Sequence, residues 1–137
     1  MMIYKLFRYV SFFVSSIDQY SVHSPIVFKL LIECIYKIDK KLILKDLSIL
    51  EKNIRDIYLD EFEVNYIDNI LSVNISEFVL KGDRIIIIKN IRKKNEYYLW
   101  KKIILDNKIK VSLDFYYFGL IINKSKNLQK QDYQIRL

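Results

Sequence analysis

Hydrophobic side chains recur every three or four residues through the first 60 residues, the spacing typical of helices that bury one face. A first helix is predicted within residues 1–17, where the apolar positions are Ile3, Leu6, Phe7, Val10, Phe13, Val14 and Ile17. A second is predicted to begin at Ser24-Pro25, because serine caps free helix N–H groups and proline suits the first turn. Its buried stripe comprises Val27, Phe28, Leu31, Cys34, Ile35 and Ile38, with Lys37, Lys40 and Lys41 at its carboxyl end, where positive charge is favourable.

Three further helices are predicted from the same spacing. The first of these covers residues 46–58 and carries a supporting Glu51–Arg55 pair on its outer face. Its inward side chains are Leu47, Leu50, Ile54 and Ile57. Residues 70–80 are ambiguous and are interpreted as a helix with Leu71, Ile75, Phe78 and Val79 inward. Residues 93–106 form the last of these predicted helices, with Tyr97, Trp100, Ile103 and Ile104 inward.

Four segments have the pattern of strands. Residues 62–67 form a short strand that ends at Asp68. Residues 84–89 contain four consecutive isoleucines, which indicates a central strand covered on both faces. Residues 109–115 and 118–123 are separated only by Tyr116-Tyr117, so a hairpin is predicted.

The order of these elements predicts a single α/β domain over residues 1–137. Residues 1–60 are mainly helical, and residues 61–123 supply the strands and helices of a small sheet. Residues 124–137 are predicted to be a polar tail, in which Ile135 and Leu137 are the last apolar pair.

The charge of the chain has two interpretations. A net charge of +7 and a pI near 9.3 suggest an anionic partner such as nucleic acid or lipid headgroups. The sequence also contains no alanine and no threonine while isoleucine, lysine and asparagine are plentiful. A base-skewed genome would produce that bias, and with it the lysine excess, without any partner. The 52% of hydrophobic residues predicts a packed core in either case.

The chain contains too few cysteine and histidine residues for sites that are built from several of them. Cys34 and His23 each occur once, which excludes a disulfide framework and a Cys/His zinc site. Cys34 lies on an apolar stripe and is interpreted as a core residue, and His23 as a structural residue at a helix entry. A reducing, cytoplasmic location is expected. The apolar run at residues 9–14 is too short to span a bilayer, and no small-residue cleavage site follows it.

Both ends of the chain carry recognisable motifs. Residues 20–28 read Tyr-Ser-Val-His-Ser-Pro-Ile-Val-Phe, and residues 111–122 read Val-Ser-Leu-Asp-Phe-Tyr-Tyr-Phe-Gly-Leu-Ile-Ile. Together with Trp100 and residues 133–137, they resemble the amino-terminal signature and the last two strands of a bacterial family of class I S-adenosylmethionine-dependent methyltransferases. The resemblance is weak in the middle of the chain.

This resemblance implies a reduced Rossmann-like methyltransferase sheet with helices at its amino-terminal end and a carboxyl-terminal antiparallel hairpin. It also implies S-adenosylmethionine as the cofactor, held by a glycine-rich turn after the first strand. The chain contains only Gly82 and Gly119, and neither opens a helix after a strand. The strand at residues 62–67 is followed instead by Asp68-Asn69-Ile70-Leu71. We therefore expect that the cofactor is not bound.

Two alignments of residues 62–68 with the family are possible. They are either the first strand with its loop erased, or the later strand that precedes residues 84–89, with everything between removed. The second alignment keeps adjacent strands adjacent and needs no rearrangement of the sheet. In both, the middle of the enzyme is absent.

The expected reaction centre also lacks its chemistry. Lys89-Asn90-Ile91 stands where the family commonly carries acidic residues, and these side chains supply no carboxylate for a divalent cation or a general base. No catalytic residue and no metal site is therefore assigned. Asp68 is interpreted as the one acid left at a strand's carboxyl edge, and it is the weak candidate for contact with a ribose hydroxyl.

Three functions remain open. The chain is a degenerate relative without cofactor binding or catalysis, or a methyltransferase that is active only as a homo- or hetero-oligomer completed through an open sheet edge. The third is a protein that binds nucleic acid or another anionic surface, and its candidate residues are Lys89, Arg92, Lys93, Lys94, Lys101 and Lys102. Tyr97, Tyr98 and Trp100 are interleaved with them, with Trp100 predicted to point inward. The alternative for this cluster is an ordinary solvated helix face.

Overall fold

One mixed five-stranded sheet organises the chain in its computed structural model, which describes residues 9–10, 12, 16, 24–75, 77, 81–124 and 128–137. The helices are Pro25–Leu30 (α1), Lys40–Lys45 (α2), Leu47–Ile57 (α3) and Lys94–Leu105 (α4). The strands are Glu63–Ile67 (β1), Arg84–Lys89 (β2), Val111–Asp114 (β3), Phe118–Asn123 (β4) and Gln131–Gln134 (β5). The predicted α/β class is confirmed.

The strands lie in the order β1-β2-β4-β3-β5. β1 is parallel to β2, whereas β4 is antiparallel to both of its neighbours, β2 and β3. The predicted hairpin is therefore present, and its turn is closed by the N–H of Phe115, which donates to the carbonyl of Phe118 at 3.0 Å. The parallel pairing of β1 with β2 places the two predicted strands next to each other.

The four isoleucines of β2 are fully or almost fully buried, as the sequence predicts. Because side chains alternate along a strand, Ile85 and Ile87 join one hydrophobic cluster and Ile86 and Ile88 the other. The first cluster includes the buried faces of α1 and α3. The second includes Trp100 of α4. The sheet is thus covered on both faces at β2.

The start of α1 is as predicted, since the N–H of Val27 donates to Ser24 Oγ at 3.5 Å and Pro25 is the first helical residue. The helix continues into a π-helical turn at Leu31–Ile35. Most of the predicted stripe is buried, but Phe28 is 42% exposed. Leu30, which the stripe omitted, takes a buried position instead. The prediction that Phe28 is buried was wrong, because Phe28 lies at the margin of the buried face of the helix.

The assignment of Lys40 and Lys41 to the end of that helix was wrong. Both lie in the first turn of α2, because the Asp39 carboxylate accepts a hydrogen bond from the N–H of Lys41 at 2.8 Å and starts a new helix. Asp46 begins α3 in the same way, through the N–H of Ser48 at 3.0 Å. None of the helices in the described ranges has the length and apolar character needed to cross a membrane.

The helix α3 matches its prediction closely. Leu47, Leu50 and Ile54 are buried, and Arg55 Nη2 lies 2.7 Å from Glu51 Oε2 on the outer face. Ile57, the fourth predicted inward residue, is half-buried.

The segment after β1 differs from its prediction. Ile70–Ser72 is a 3₁₀ turn capped by Asn69, whose side-chain oxygen accepts from the N–H of Leu71 at 2.9 Å. Leu71 is 49% exposed rather than inward, whereas Ile75 is buried as predicted. Phe78 and Val79 lie outside the described residues, as do His23 and most of residues 1–17. Of that first predicted helix, the described residues Tyr9, Val10 and Phe12 are helical.

The predicted polar tail contains a strand that the sequence analysis missed. β5 pairs in parallel with β3, and Ser112 Oγ donates to Asp132 Oδ1 at 2.6 Å across the pair. Lys130 Nζ donates to the carbonyls of Ile104, Asp106 and Ile109 around the end of α4. Ile135 is buried, in agreement with its prediction.

Candidate functional site

A cavity of about 250 Å³ lies at the carboxyl ends of the parallel strands β1 and β2. Tyr66 of β1 and Lys89 of β2 line it on the sheet side, and the junction of α2 with α3 closes the opposite side through Lys45 and Asp46. Open α/β sheets bind ligands at this edge, because loops leave the parallel strands there and the backbone is accessible. The position of the cavity makes it the candidate site.

The walls of the cavity combine apolar and aromatic surface. Ile43, Leu47 and Phe118 are buried residues that contribute its apolar part. Tyr117 is 49% exposed, and its ring meets that of Tyr116 nearly edge-on, with the centroids 4.8 Å apart. The cavity therefore offers a hydrophobic floor and a partly free aromatic ring.

Asp68 contacts the positive charge at this edge. Its carboxylate lies 3.8 Å from Lys89 Nζ, and both side chains are largely exposed, so the pair contributes little to stability. The phenol of Tyr66 donates to Asp68 Oδ1 at 3.4 Å. Burial, followed by the Asp68 charge, raises the pKa of Tyr66. Tyr66 therefore keeps its proton at neutral pH and acts as a donor.

The other side of the cavity carries Lys45 and Asp46, which behave differently. Asp46 is committed to the start of α3, and its hydrogen bonds to Ser48 lower the pKa of its carboxyl. Lys45, by contrast, has no carboxylate within 4.0 Å among the residues that the structure describes. The cavity thus has one unpaired and one loosely paired ammonium group.

Two residues at this edge adopt left-handed backbone conformations that favour glycine. Asn90, at the end of β2, has a φ of 60°, and Tyr116, in the hairpin turn, has a φ of 74°. The N–H of Asn90 donates to the carbonyl of Tyr117 at 3.0 Å and joins the two loops. Such conformations persist only where the surrounding structure holds them, and they cluster at functional sites.

Arg92 does not lie on the predicted anion-binding surface. Its Nη2 is 2.9 Å from Asp114 Oδ2, with 9% and 6% of the two side chains exposed. The guanidinium also lies over the rings of Phe12, Tyr97 and Tyr116, at 5.2, 4.4 and 4.7 Å from their centroids. This charge is therefore used inside the protein.

Asp114 is a carboxylate at the carboxyl end of β3, so the interpretation of Asp68 as the one acid at such an edge was wrong. Its other oxygen accepts the N–H of Tyr116 at 2.8 Å and supports the strained turn. The available signal was its place in the motif at residues 111–122, directly before the turn tyrosines. The sequence analysis quoted this motif without assigning the acid a role.

The structure divides the rest of the predicted anion-binding cluster. Lys89 lines the cavity, whereas Lys93, Lys94, Lys101 and Lys102 are exposed at or along α4. Lys101 Nζ lies 4.7 Å from the centroid of Tyr97, and Tyr98 is 71% exposed beside it. Trp100 is fully buried, as predicted.

Cys34 is buried among apolar residues, and desolvation raises its pKa to about 12. Since the thiolate is the reactive form, this thiol is not a nucleophile at neutral pH. Within the described ranges, no three His, Cys, Asp or Glu side chains are placed to hold a metal ion. The side chains at this edge are suited to binding a ligand. They comprise ammonium groups, phenols and an amide around an apolar floor.

Comparison with known proteins gives no match. No protein-family model, no curated protein and no solved structure matches this chain. The site is therefore interpreted from its own geometry.

Proposed function

We propose that this chain is a degenerate relative of the class I S-adenosylmethionine-dependent methyltransferases, which neither binds the cofactor nor transfers a methyl group. The observation that carries the proposal is that none of the five strands of the described sheet is followed by a glycine-rich turn, because Gly82 precedes β2 and Gly119 lies within β4. After β1 the chain instead runs through Asp68-Asn69-Ile70, and Ile70 is fully buried. The family places a glycine-rich loop after its first strand, because only a bare backbone comes close to the nucleoside.

Ile70 belongs to the hydrophobic cluster that also contains Ile67, Ile75 and Ile86. Its side chain is therefore part of the core and cannot move aside for a ligand without opening that core. Asn69 also caps the turn with its own side chain. These contacts indicate that the turn is packed permanently into the core. They do not indicate a cofactor loop that has closed because its ligand is absent.

The size of the cavity supports the same proposal. About 250 Å³ lies below the roughly 300–1,000 Å³ of typical small-molecule pockets. S-adenosylmethionine carries an adenine, a ribose and an amino-acid chain, so it is a large ligand for a cavity of this size.

The sheet supports the choice between the two alignments. β1 lies directly beside β2 and parallel to it, as the alignment with the later strand requires. The antiparallel β4 suits the family's last strand. On this proposal the sheet is a reduced Rossmann-like sheet from which the cofactor-binding half has been removed. The buried single cysteine suits a reducing, cytoplasmic location.

Ligand-linked unfolding tests the proposal. Urea unfolding is measured with and without S-adenosylhomocysteine, and an active class I methyltransferase is the positive control. We expect no change in the free energy of unfolding. A micromolar dissociation constant would add about 2.7 kcal/mol at a hundredfold excess of ligand over that constant, and this result would sink the proposal.

A second candidate is a methyltransferase that is completed by a partner chain. The observation in its favour is that β1 is an edge strand, paired only with β2 in the described part of the sheet. An open edge is a template for another strand. Native mass spectrometry decides: a homo- or hetero-oligomer with methyl-transfer activity supports this candidate, and a strict monomer contradicts it.

A third candidate is binding to nucleic acid or another anionic surface through α4. It is favoured by the exposure of Lys94, Lys101 and Lys102 together with Tyr98, whose ring is available for stacking. Retention on heparin that falls steeply with added salt is the expected result. No retention at low salt contradicts this candidate.

A further inference from the structure

We propose that the cavity at the ends of β1 and β2 binds a small aromatic anion, a single ring that carries one carboxylate or one phosphate. This goes beyond the function proposed above, because such a ligand is unrelated to the methyl donor and needs no glycine-rich loop. Three properties of the cavity carry the proposal: its volume, the unpaired ammonium group of Lys45 and its aromatic wall.

The volume sets the size of the ligand. About 250 Å³ lies just below the roughly 300–1,000 Å³ of typical small-molecule pockets, so the cavity suits a small ligand. One six-membered ring with one acidic substituent fits this space.

The charged residues of the cavity wall indicate the charge of the ligand. Lys45 has no carboxylate partner within 4.0 Å in the described ranges, and Lys89 is held only by Asp68 at 3.8 Å. Asp46, the remaining carboxylate of the wall, accepts a hydrogen bond from the N–H of Ser48 but keeps its negative charge, which also interacts with Lys89. Lys45 is therefore the ammonium group that pairs with an anion in the cavity.

The aromatic wall sets the shape. The ring of Tyr117 meets that of Tyr116 nearly edge-on, and about half of Tyr117 stays exposed. A second ring can pack against it with the apolar Ile43 and Phe118 below. This contact favours an aromatic anion over an aliphatic one.

Asn90 adds a polar contact of defined orientation. Its backbone N–H is used by Tyr117, but its side-chain amide has no hydrogen-bond partner among the described residues. An amide offers two donors and an acceptor. Asn90 lines the cavity wall, where this amide is available to the anionic group.

Calorimetric titration of the whole chain with benzoate and with phenyl phosphate tests the proposal. Benzyl alcohol supplies the ring without charge, and acetate and inorganic phosphate supply the charge without the ring. We expect at least one aromatic anion to bind about tenfold or more tightly than all three controls. Whichever of benzoate and phenyl phosphate binds more tightly identifies the acidic group. Equal binding of benzyl alcohol, or no binding of either aromatic anion, overturns the proposal.

Two substitutions test whether the ligand binds in this cavity. Asn90→Asp keeps the shape and tolerates the left-handed backbone, but it adds a negative charge, so binding should weaken about tenfold or more. Lys45→Gln should weaken it several-fold. Lys52→Gln, an exposed lysine of α3 outside the cavity, makes the same change of net charge and should have no effect. Circular dichroism checks that each variant folds. Binding that survives both Asn90→Asp and Lys45→Gln also overturns the proposal.

Discussion

Arg92 Nη2 and Asp114 Oδ2 lie 2.9 Å apart with less than a tenth of either side chain exposed. The pair joins the loop after β2 to the end of β3. Because Asp114 also accepts the N–H of Tyr116, it holds the strained turn that carries Tyr117 into the wall of the cavity. A buried ion pair therefore supports the turn that places one aromatic residue in the wall of the candidate site.

Removal of one partner from this pair should be costly. Asp114→Ala leaves the Arg92 guanidinium buried without its carboxylate, and we expect a loss of about 3–5 kcal/mol in the free energy of unfolding by urea. Glu51→Ala breaks the exposed pair with Arg55, which has a similar distance of 2.7 Å, and should cost less than about 1 kcal/mol. Similar losses in the two variants would contradict the account of a buried, structural pair.

Gly119 should tolerate no side chain while Trp100 is present. A Cβ at this position would lie 2.5 Å from the nearest atom of the indole ring. Gly119→Ala should cost about 1–3 kcal/mol by overpacking, measured by thermal or urea unfolding. Trp100→Phe removes part of the clashing ring, so the double variant should lose less than the sum of the two single variants. Additive losses would show that the contact with Trp100 is not the cause.

The stability of the fold should fall at alkaline pH because Cys34 is buried. Burial raises the pKa of this thiol to about 12 from an ordinary 9.0, so the unfolded chain releases the proton first. The contribution is fully present below pH 9.0 and is lost as the pH rises towards 12. The loss approaches about 1.4 kcal/mol per pH unit for a single group.

Urea unfolding between neutral pH and about pH 10 measures this effect. Cys34→Ala should show a shallower loss of stability than the parent chain. Some loss should persist, because burial also raises the pKa of Tyr58. Identical pH profiles of the parent and the variant would refute a buried, protonated thiol.

Lys130 should hold β5 in the sheet. Its ammonium group donates to three carbonyls around the end of α4, and hydrogen bonds of a charged group contribute about 1.5–3 kcal/mol. Lys130→Met should lower stability by that amount and should speed hydrogen exchange in β5 more than in β2. Lys108→Met, at an exposed position nearby, is the control. Unchanged exchange in β5 would mean that Lys130 does not dock the strand.

The sequence predicts several elements whose cause is local, although it missed α2, which Asp39 caps. Four isoleucines in a row identify β2, and Ser24 and Asp46 each precede a helix that they cap. β5 escaped prediction because Gln-Asp-Tyr-Gln has no apolar alternation, and its stability comes from β3 and Lys130. Local patterns carry no information about such partners.

The candidate site depends on contacts distant in sequence, and for this reason it was predicted only in part. Lys89 belongs to a linear basic cluster, yet it lies with Lys45 and Tyr117, which are far from it in the chain. Arg92 belongs to the same cluster but is buried, because Asp114 is 22 positions away in sequence and adjacent in space. Charge along the sequence does not distinguish a surface lysine from a buried arginine.

The central claim is that this fold has no place for the methyl donor's adenosyl group. Calorimetric titration of the purified chain with S-adenosylhomocysteine tests it most directly. We expect no heat beyond that of dilution. Saturable binding of one ligand per chain with micromolar affinity would contradict the claim.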